Sequence, residues 1–208
     1  MTNRNIQKAL LSILPFIFIL LLYFLFSDWL NRLDLAITEL VFKQRSPIGD
    51  AYFLSMTHLG DKEFVTMFTV GAVLLIALAL RKWKTALLYG ITIAIGNLWL
   101  NPALKDLFQR VRPDETIWMV VEESFSFPSG HSFVAGTVYP LLVDVLLRNT
   151  KLSRYSAIVY AILALLVFSI AFSRIYLGVH FLTDVLGGLS LGFSFQYLTR
   201  FVLEKVDE

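Results

Sequence analysis

The strongest constraint on this chain is a set of apolar windows without a single Asp, Glu, Lys or Arg. Residues 9–26, 64–80, 85–104 and 155–172 all have this character. About 20 apolar residues in a helix cross the hydrocarbon core of a bilayer. Only helices and closed barrels satisfy their backbone groups there. Windows of this length therefore predict an all-α, multi-span membrane protein. Two further windows, 131–147 and 181–203, are apolar with isolated charges. The sequence thus predicts a six-transmembrane helix bundle with spans at 8–30, 64–80, 85–104, 131–147, 155–172 and 181–203. The first run is longer than a signal-peptide core and lacks a small-residue cleavage site, so it reads as a retained helix. Composition agrees: 57% of residues are hydrophobic and 16% charged, where soluble domains have about 45–50% and about 25%.

The segments between spans carry the remaining information. Residues 31–63 place Leu33, Ile37, Leu40 and Val41 at helical spacing among charges, which predicts an interfacial amphipathic stretch that Pro47 ends. With both termini inside, the inner segments hold ten Lys and Arg and the outer segments eight. The short basic loop Arg81–Lys84 favours that orientation. The expectation is an extracytoplasmic site on a bacterial plasma membrane, in one domain covering 1–208. A net charge of +2 gives no case for nucleic acid as a partner. The absence of cysteine excludes disulfides and thiol chemistry. Asn97 and Asn101 need partners within a span and are expected to face other helices.

Three segments fall on the same predicted side. The first runs from Lys105 to Pro113, the second is Pro128-Ser129-Gly130-His131, and the third runs from Ser173 to Asp184. They bring together the cations Lys105, Arg112 and Arg174, the hydroxyl of Ser129, the bare backbone of Gly130 and two histidines. Guanidinium forks, ammonium charges and N–H groups at a helix start are what phosphoryl oxygens require. His180 and Asp184 are four apart at a helix start and share a face. A carboxylate on one ring nitrogen fixes the tautomer and leaves the other free to attack. His180 is therefore the candidate nucleophile and Asp184 its orienter.

The three segments match K-x6-R-P, P-S-G-H and S-R-x5-H-x3-D with every position filled. In this the chain resembles the type 2 phosphatidic acid phosphatase (PAP2) superfamily. The resemblance implies a metal-independent, cofactor-free lipid phosphatase. His180 would carry a phosphohistidine and His131 would protonate the leaving group. Lys105, Arg112, Ser129, Gly130 and Arg174 would hold phosphate. Candidate substrates by resemblance are phosphatidylglycerol phosphate, phosphatidic acid and undecaprenyl diphosphate. The alternatives are a lipid phosphotransferase using the same intermediate, or a lipid transporter without chemistry. A transporter would carry its charges at mid-span, whereas here they collect at one face. Elsewhere, His58, which fits no motif, reads as a structural or interfacial histidine, Arg110 as a surface residue, Asp61 as a cap on the second span, and Asp144 as an ion-pair partner of Arg148 four residues on.

Overall fold

The computed structural model describes residues 2–206. Among them the regular structure is entirely helical, as the window lengths require. The order is α1 (Thr2–Leu25), α2 (Ser27–Lys43), α3 (Pro47–Thr57), α4 (Lys62–Leu74), α5 (Trp83–Ile95), α6 (Asn101–Phe108), α7 (Gly130–Asn149), α8 (Ser156–Tyr176) and α9 (Leu182–Val206). A π turn extends α4 to Ala79, and another joins α5 to α6 as one rod, Trp83–Phe108. The segment before Pro47 ends earlier than expected, at Lys43, and Pro47 is instead the first residue of α3. There Ser46 caps the helix by accepting the Gly49 N–H at 3.2 Å.

Helix α7 is the axis of the bundle. Of its apolar window 72% is buried, against 17–28% for the four other candidate spans. The outer helices turn large apolar side chains outward, such as Leu11, Phe18 and Phe24 on α1 and Ile162, Leu165 and Phe168 on α8. In water such surfaces would aggregate; in lipid they are the solvent-facing side. Five helices are long and apolar enough to cross a membrane, one fewer than the sequence predicts. The sixth expected span is α9, which has the length, 25 residues or about 37 Å. It lacks the apolarity because its packed faces are polar or small: Gly187, Gly188, Ser190, Gly192, Ser194, Gln196 and Thr199 are buried.

Those small residues position the site. A methyl group on Gly188 would sit 2.5 Å from the Ser129 carbonyl, and one on Gly192 the same distance from the Phe133 carbonyl. The backbones of α7 and α9 thus pack in direct contact, as small residues allow in membrane helices. The Ser129 N–H donates to the Asp184 carbonyl at 3.1 Å, which locks the two helix starts together.

At the far end Asp144 departs from its expected partner. It accepts from Tyr160 at 3.0 Å, Gln196 at 2.6 Å and Arg200 at 2.9 Å, while Arg148 pairs with Glu204 at 2.6 Å. Asp144 faces α9, so a cross-helix cation displaces the neighbour one turn away. On α2 the buried stripe is Leu30, Asp34 and Thr38, while Leu33 and Leu40 are exposed. The side packed on the protein is therefore partly polar, for a reason found at the site.

Candidate active site

The segment after the third predicted span leaves its helix at Gln109, whose left-handed conformation (φ 45°) ends α6 while its N–H still bonds the Lys105 carbonyl at 2.9 Å. This abrupt exit carries Arg110 and Arg112 back over the helix ends. Lys105 is buried, and its ammonium donates to the Phe125 carbonyl at 2.5 Å and to Ser124 Oγ at 3.0 Å. Arg112 donates from Nε to the Ser124 carbonyl at 2.7 Å and from Nη1 to the Val179 carbonyl at 2.6 Å. Its Nη1 also lies 3.1 Å from His180 Nε2. A guanidinium only donates, so Nε2 presents its lone pair on the cationic side and the ring proton sits on Nδ1.

His180 Nδ1 faces Asp184 Oδ2 at 3.4 Å and Ser126 Oγ at 3.3 Å. Ser126, wholly buried, donates its hydroxyl to that same Asp184 oxygen. Asp184 also accepts the Phe181 N–H at 2.9 Å, the return half of a capping box at the start of α9. Burial, reinforced by Arg112, Lys105 and Arg174, holds His180 well below its ordinary 6.5. The ring is therefore held in its neutral form rather than as a cation.

Arg110, expected at the surface, is instead buried at 6% exposure. Its Nη1 donates to Asp184 Oδ1 at 2.6 Å and to Thr183 Oγ1 at 2.7 Å, and its Nη2 to Asp34 Oδ2 at 2.7 Å. Asp34 in turn takes the Thr183 N–H at 3.1 Å and its hydroxyl at 2.5 Å. Two fully buried carboxylates share one guanidinium, and this is why α2 turns Asp34 inward. A cation in a polar loop gives no sequence signal for an acid some seventy positions away.

Arg174 is 1% exposed. It donates to Thr57 Oγ1 at 2.5 Å and to Glu122, and its buried Nε has no partner. Glu122 reaches Arg112 Nη2 at 3.1 Å as well, so one carboxylate lies between the two arginines. Burial alone would raise the Glu122 pKa; Arg174 and Arg112 outweigh it and hold the group below the ordinary carboxylate value. Ser129 is turned into the cap of α7, where its hydroxyl meets Ser132 Oγ at 3.0 Å. Gly130 and His131 line the open side.

Asp61 occupies the cap position of α4 but makes no cap bond. Its two oxygens go to His131 Nε2 at 2.9 Å and to His58 Nδ1 at 2.8 Å. His58 is itself exposed.

Lys105, Glu122, Ser124, Gly130, His131 and His180 meet at one end of a cavity of ≈520 Å³ that continues between α4 and α5. Thr66, Thr69 and Val70 line one wall and Ile93, Ala94 and Leu98 the other. Asn97 and Asn101 also face it, and Asn101 Nδ2 is buried without a partner. Among the described residues no three His, Asp or Glu side chains are placed to share a metal ion. The arrangement offers an apolar groove ending in Lys105, a neutral imidazole backed by a carboxylate, and a second imidazole, with Arg112 and Arg174 directly behind His180 and Glu122.

Residues 83–206 match the PAP2 superfamily. Phosphatidylglycerophosphatase B of Bacillus subtilis is 36% identical over 192 residues, covering 91% of this chain and 92% of that protein. Lipid A 4'-phosphatase of Bacteroides thetaiotaomicron is 28% identical over 175 residues, covering 77% of this chain and 72% of that protein. The crystal structure of a transmembrane PAP2-type phosphatidylglycerolphosphate phosphatase from Bacillus subtilis superposes with a TM-score of 0.88 at 34% identity, over 96% of this chain and 97% of that one. Asp34, Thr57 and Asp61 lie before the matched 83–206 interval, yet each touches a motif side chain or its neighbour in the same network.

Proposed function

This chain belongs to the PAP2 superfamily, and on that premise we propose that it is a bacterial membrane lipid phosphatase working through a phosphohistidine on His180. The observation that carries the reading is the placement of His180. Nε2 lies 3.1 Å from Arg112, with Asp184 behind Nδ1. A phosphoryl group drawn to Arg112 would meet a lone pair already aimed at it.

Lys105, Arg112 and Arg174 hold the three phosphoryl oxygens, with backbone N–H groups at the Gly130 start of α7 adding to them. Glu122 yields its place between the arginines to the incoming phosphate. His180 Nε2 attacks phosphorus as the bond to the lipid oxygen breaks, and His131 gives that oxygen a proton. Asp184 steadies the charge that the His180 ring acquires. Water then attacks the phosphohistidine, His131 takes its proton, and phosphate leaves with His180 restored. The fixed cations meet the charge of the five-coordinate state without reorganising, and such preorganised charge usually contributes most of the rate enhancement. No step requires a metal ion.

Phosphatidylglycerol phosphate is the first substrate to test, since the relative at 36% identity carries that activity in its name. Phosphatidic acid and undecaprenyl diphosphate follow. The chains would lie in the groove between α4 and α5, whose rim residues Thr66, Val70 and Leu98 are exposed on the outer helix faces. With α9 as the sixth span and α2 in the interface, both termini lie inside and the site faces outward. Phosphotransfer to a second lipid alcohol shares the first half-reaction, and a phosphorylated acceptor lipid would reveal it.

The test is phosphate release by the purified protein from a panel of lipid phosphates, with and without chelator and vanadate. The expected result is turnover that chelator leaves intact and vanadate inhibits, with the highest kcat/KM on phosphatidylglycerol phosphate. An inert protein would overturn the enzyme reading, and complete loss in chelator would overturn metal independence.

A further inference from the structure

The turn between α3 and α4 is built around the ring of His131. The Leu59 carbonyl accepts the Tyr139 hydroxyl of α7 at 2.5 Å, which anchors the turn to the helix that carries His131. Gly60 follows. A methyl group there would lie 2.8 Å from His131 Cγ and 3.0 Å from its Cβ, so the histidine side chain packs directly on bare backbone. Asp61 comes next, with one oxygen 2.9 Å from His131 Nε2 and the other fixed by His58 at 2.8 Å. Asp61 stands where a carboxylate would ordinarily cap α4, an interaction worth about 1 kcal/mol, and it makes no such bond. Its side chain is committed to the histidine instead.

We propose that Asp61 is the positioning residue for leaving-group protonation, aligning the His131 ring and holding its proton in the way Asp184 serves His180. The inference rests on the assignment of His131 as general acid. The His131 hydrogen bond holds the Asp61 pKa down at about 2, so the group is an ionised acceptor throughout the working range. An ionised carboxylate accepts only, so Nε2 keeps its proton and Nδ1 is left for the substrate. Once the substrate's phosphate offsets the Arg174 charge that faces the ring, His131 takes a second proton from water on Nδ1 and passes it to the lipid oxygen as the P–O bond breaks. It ends neutral, with Nε2–H still on Asp61. When water attacks the phosphohistidine, its proton returns to Nδ1. Asp61, His58 and Gly60 lie outside the matched 83–206 interval, so this half of the machinery comes from a segment that the three motifs do not include.

A mere structural tie between turn and helix would affect all substrates alike, and leaving-group dependence separates the two roles. A lipid alkoxide needs a proton to depart, whereas p-nitrophenolate does not. Asp61→Asn keeps an oxygen acceptor for Nε2–H and removes only the charge. Its kcat/KM on a short-chain phosphatidic acid should fall about 100-fold, the low end of general-acid effects, while that on p-nitrophenyl phosphate falls no more than about threefold. Asp61→Glu, which restores the charge, should recover part of the lipid activity, and it serves as the test if the Asn variant does not fold. His131→Ala is the control for the underlying assignment. Equal losses on both substrates in His131→Ala would overturn the general acid itself. A leaving-group-dependent loss in His131→Ala, with none in Asp61→Asn, would overturn the role of Asp61 alone.

Discussion

Replacing Arg110 by methionine keeps most of the side-chain volume and removes the charge shared by Asp34 and Asp184. Both acids are fully buried, and the guanidinium reaches them at 2.7 and 2.6 Å. Each keeps some donors: the Thr183 N–H and hydroxyl for Asp34, and the Phe181 N–H and Ser126 hydroxyl for Asp184. Neither keeps a cation. Removing one partner of a buried ion pair costs about 3–5 kcal/mol, because the other charge is left uncompensated. The same loss frees Asp184 to shift, and a misplacement of about 1 Å in a catalytic group costs around 100-fold in rate. Arg110→Met should therefore lower thermal stability in detergent by several kcal/mol and cut kcat on a lipid phosphate by about two orders of magnitude. Adding Asp34→Asn removes one stranded charge, so the double variant should regain part of the stability and little of the activity. Coupling of this kind is expected only for groups in one network. If Arg110→Met unfolds and turns over like the parent, Arg110 is not the clamp described here and the ion-pair argument fails.

Other outcomes follow from the same geometry. Glu122→Gln removes the anion between Arg112 and Arg174, so vanadate should bind about tenfold tighter, a gain of roughly 1.4 kcal/mol; equal or weaker inhibition would refute the competition. The lowered pKa of His180 means that the unfolded chain takes up a proton at about 6.5 that the folded chain refuses. Stability should therefore fall as pH drops below about 6.5, by up to about 1.4 kcal/mol per pH unit. Melting curves of His180→Asn should show a shallower slope over that window, and an unchanged slope would place the proton elsewhere. Because the chain has no cysteine, Val121→Cys at an exposed loop position is a single reporter. It should react with an impermeant thiol reagent on intact cells, and labelling only after lysis would invert the orientation.

The helices were legible in the sequence because lipid imposes long charge-free windows, and the motif side chains because phosphate chemistry needs cations and histidines in a fixed order. Both signals are local. The misread residues are those whose partners are distant in sequence. Arg110 looks like a loop cation until the fold brings Asp34 and Asp184 to it, and Asp144 bypasses Arg148 for Arg200 on α9. Asp61 occupies the cap position yet commits its carboxylate to His131. The sixth predicted span, α9, falls short on apolarity because packing against α1 and α7 lets Gly, Ser, Gln and Thr replace leucine. Ser126 carries no signal, since one serine in a polar loop resembles any other.

The central claim is that His180 takes the phosphoryl group. The direct test is to mix the purified protein with radiolabelled phosphatidylglycerol phosphate, quench within the first turnover and map the label. The expected product is an acid-labile, alkali-stable phosphoryl group on the peptide containing His180, absent from His180→Gln, which should also lose turnover. A label on another residue, or continued turnover by His180→Gln, would contradict the account.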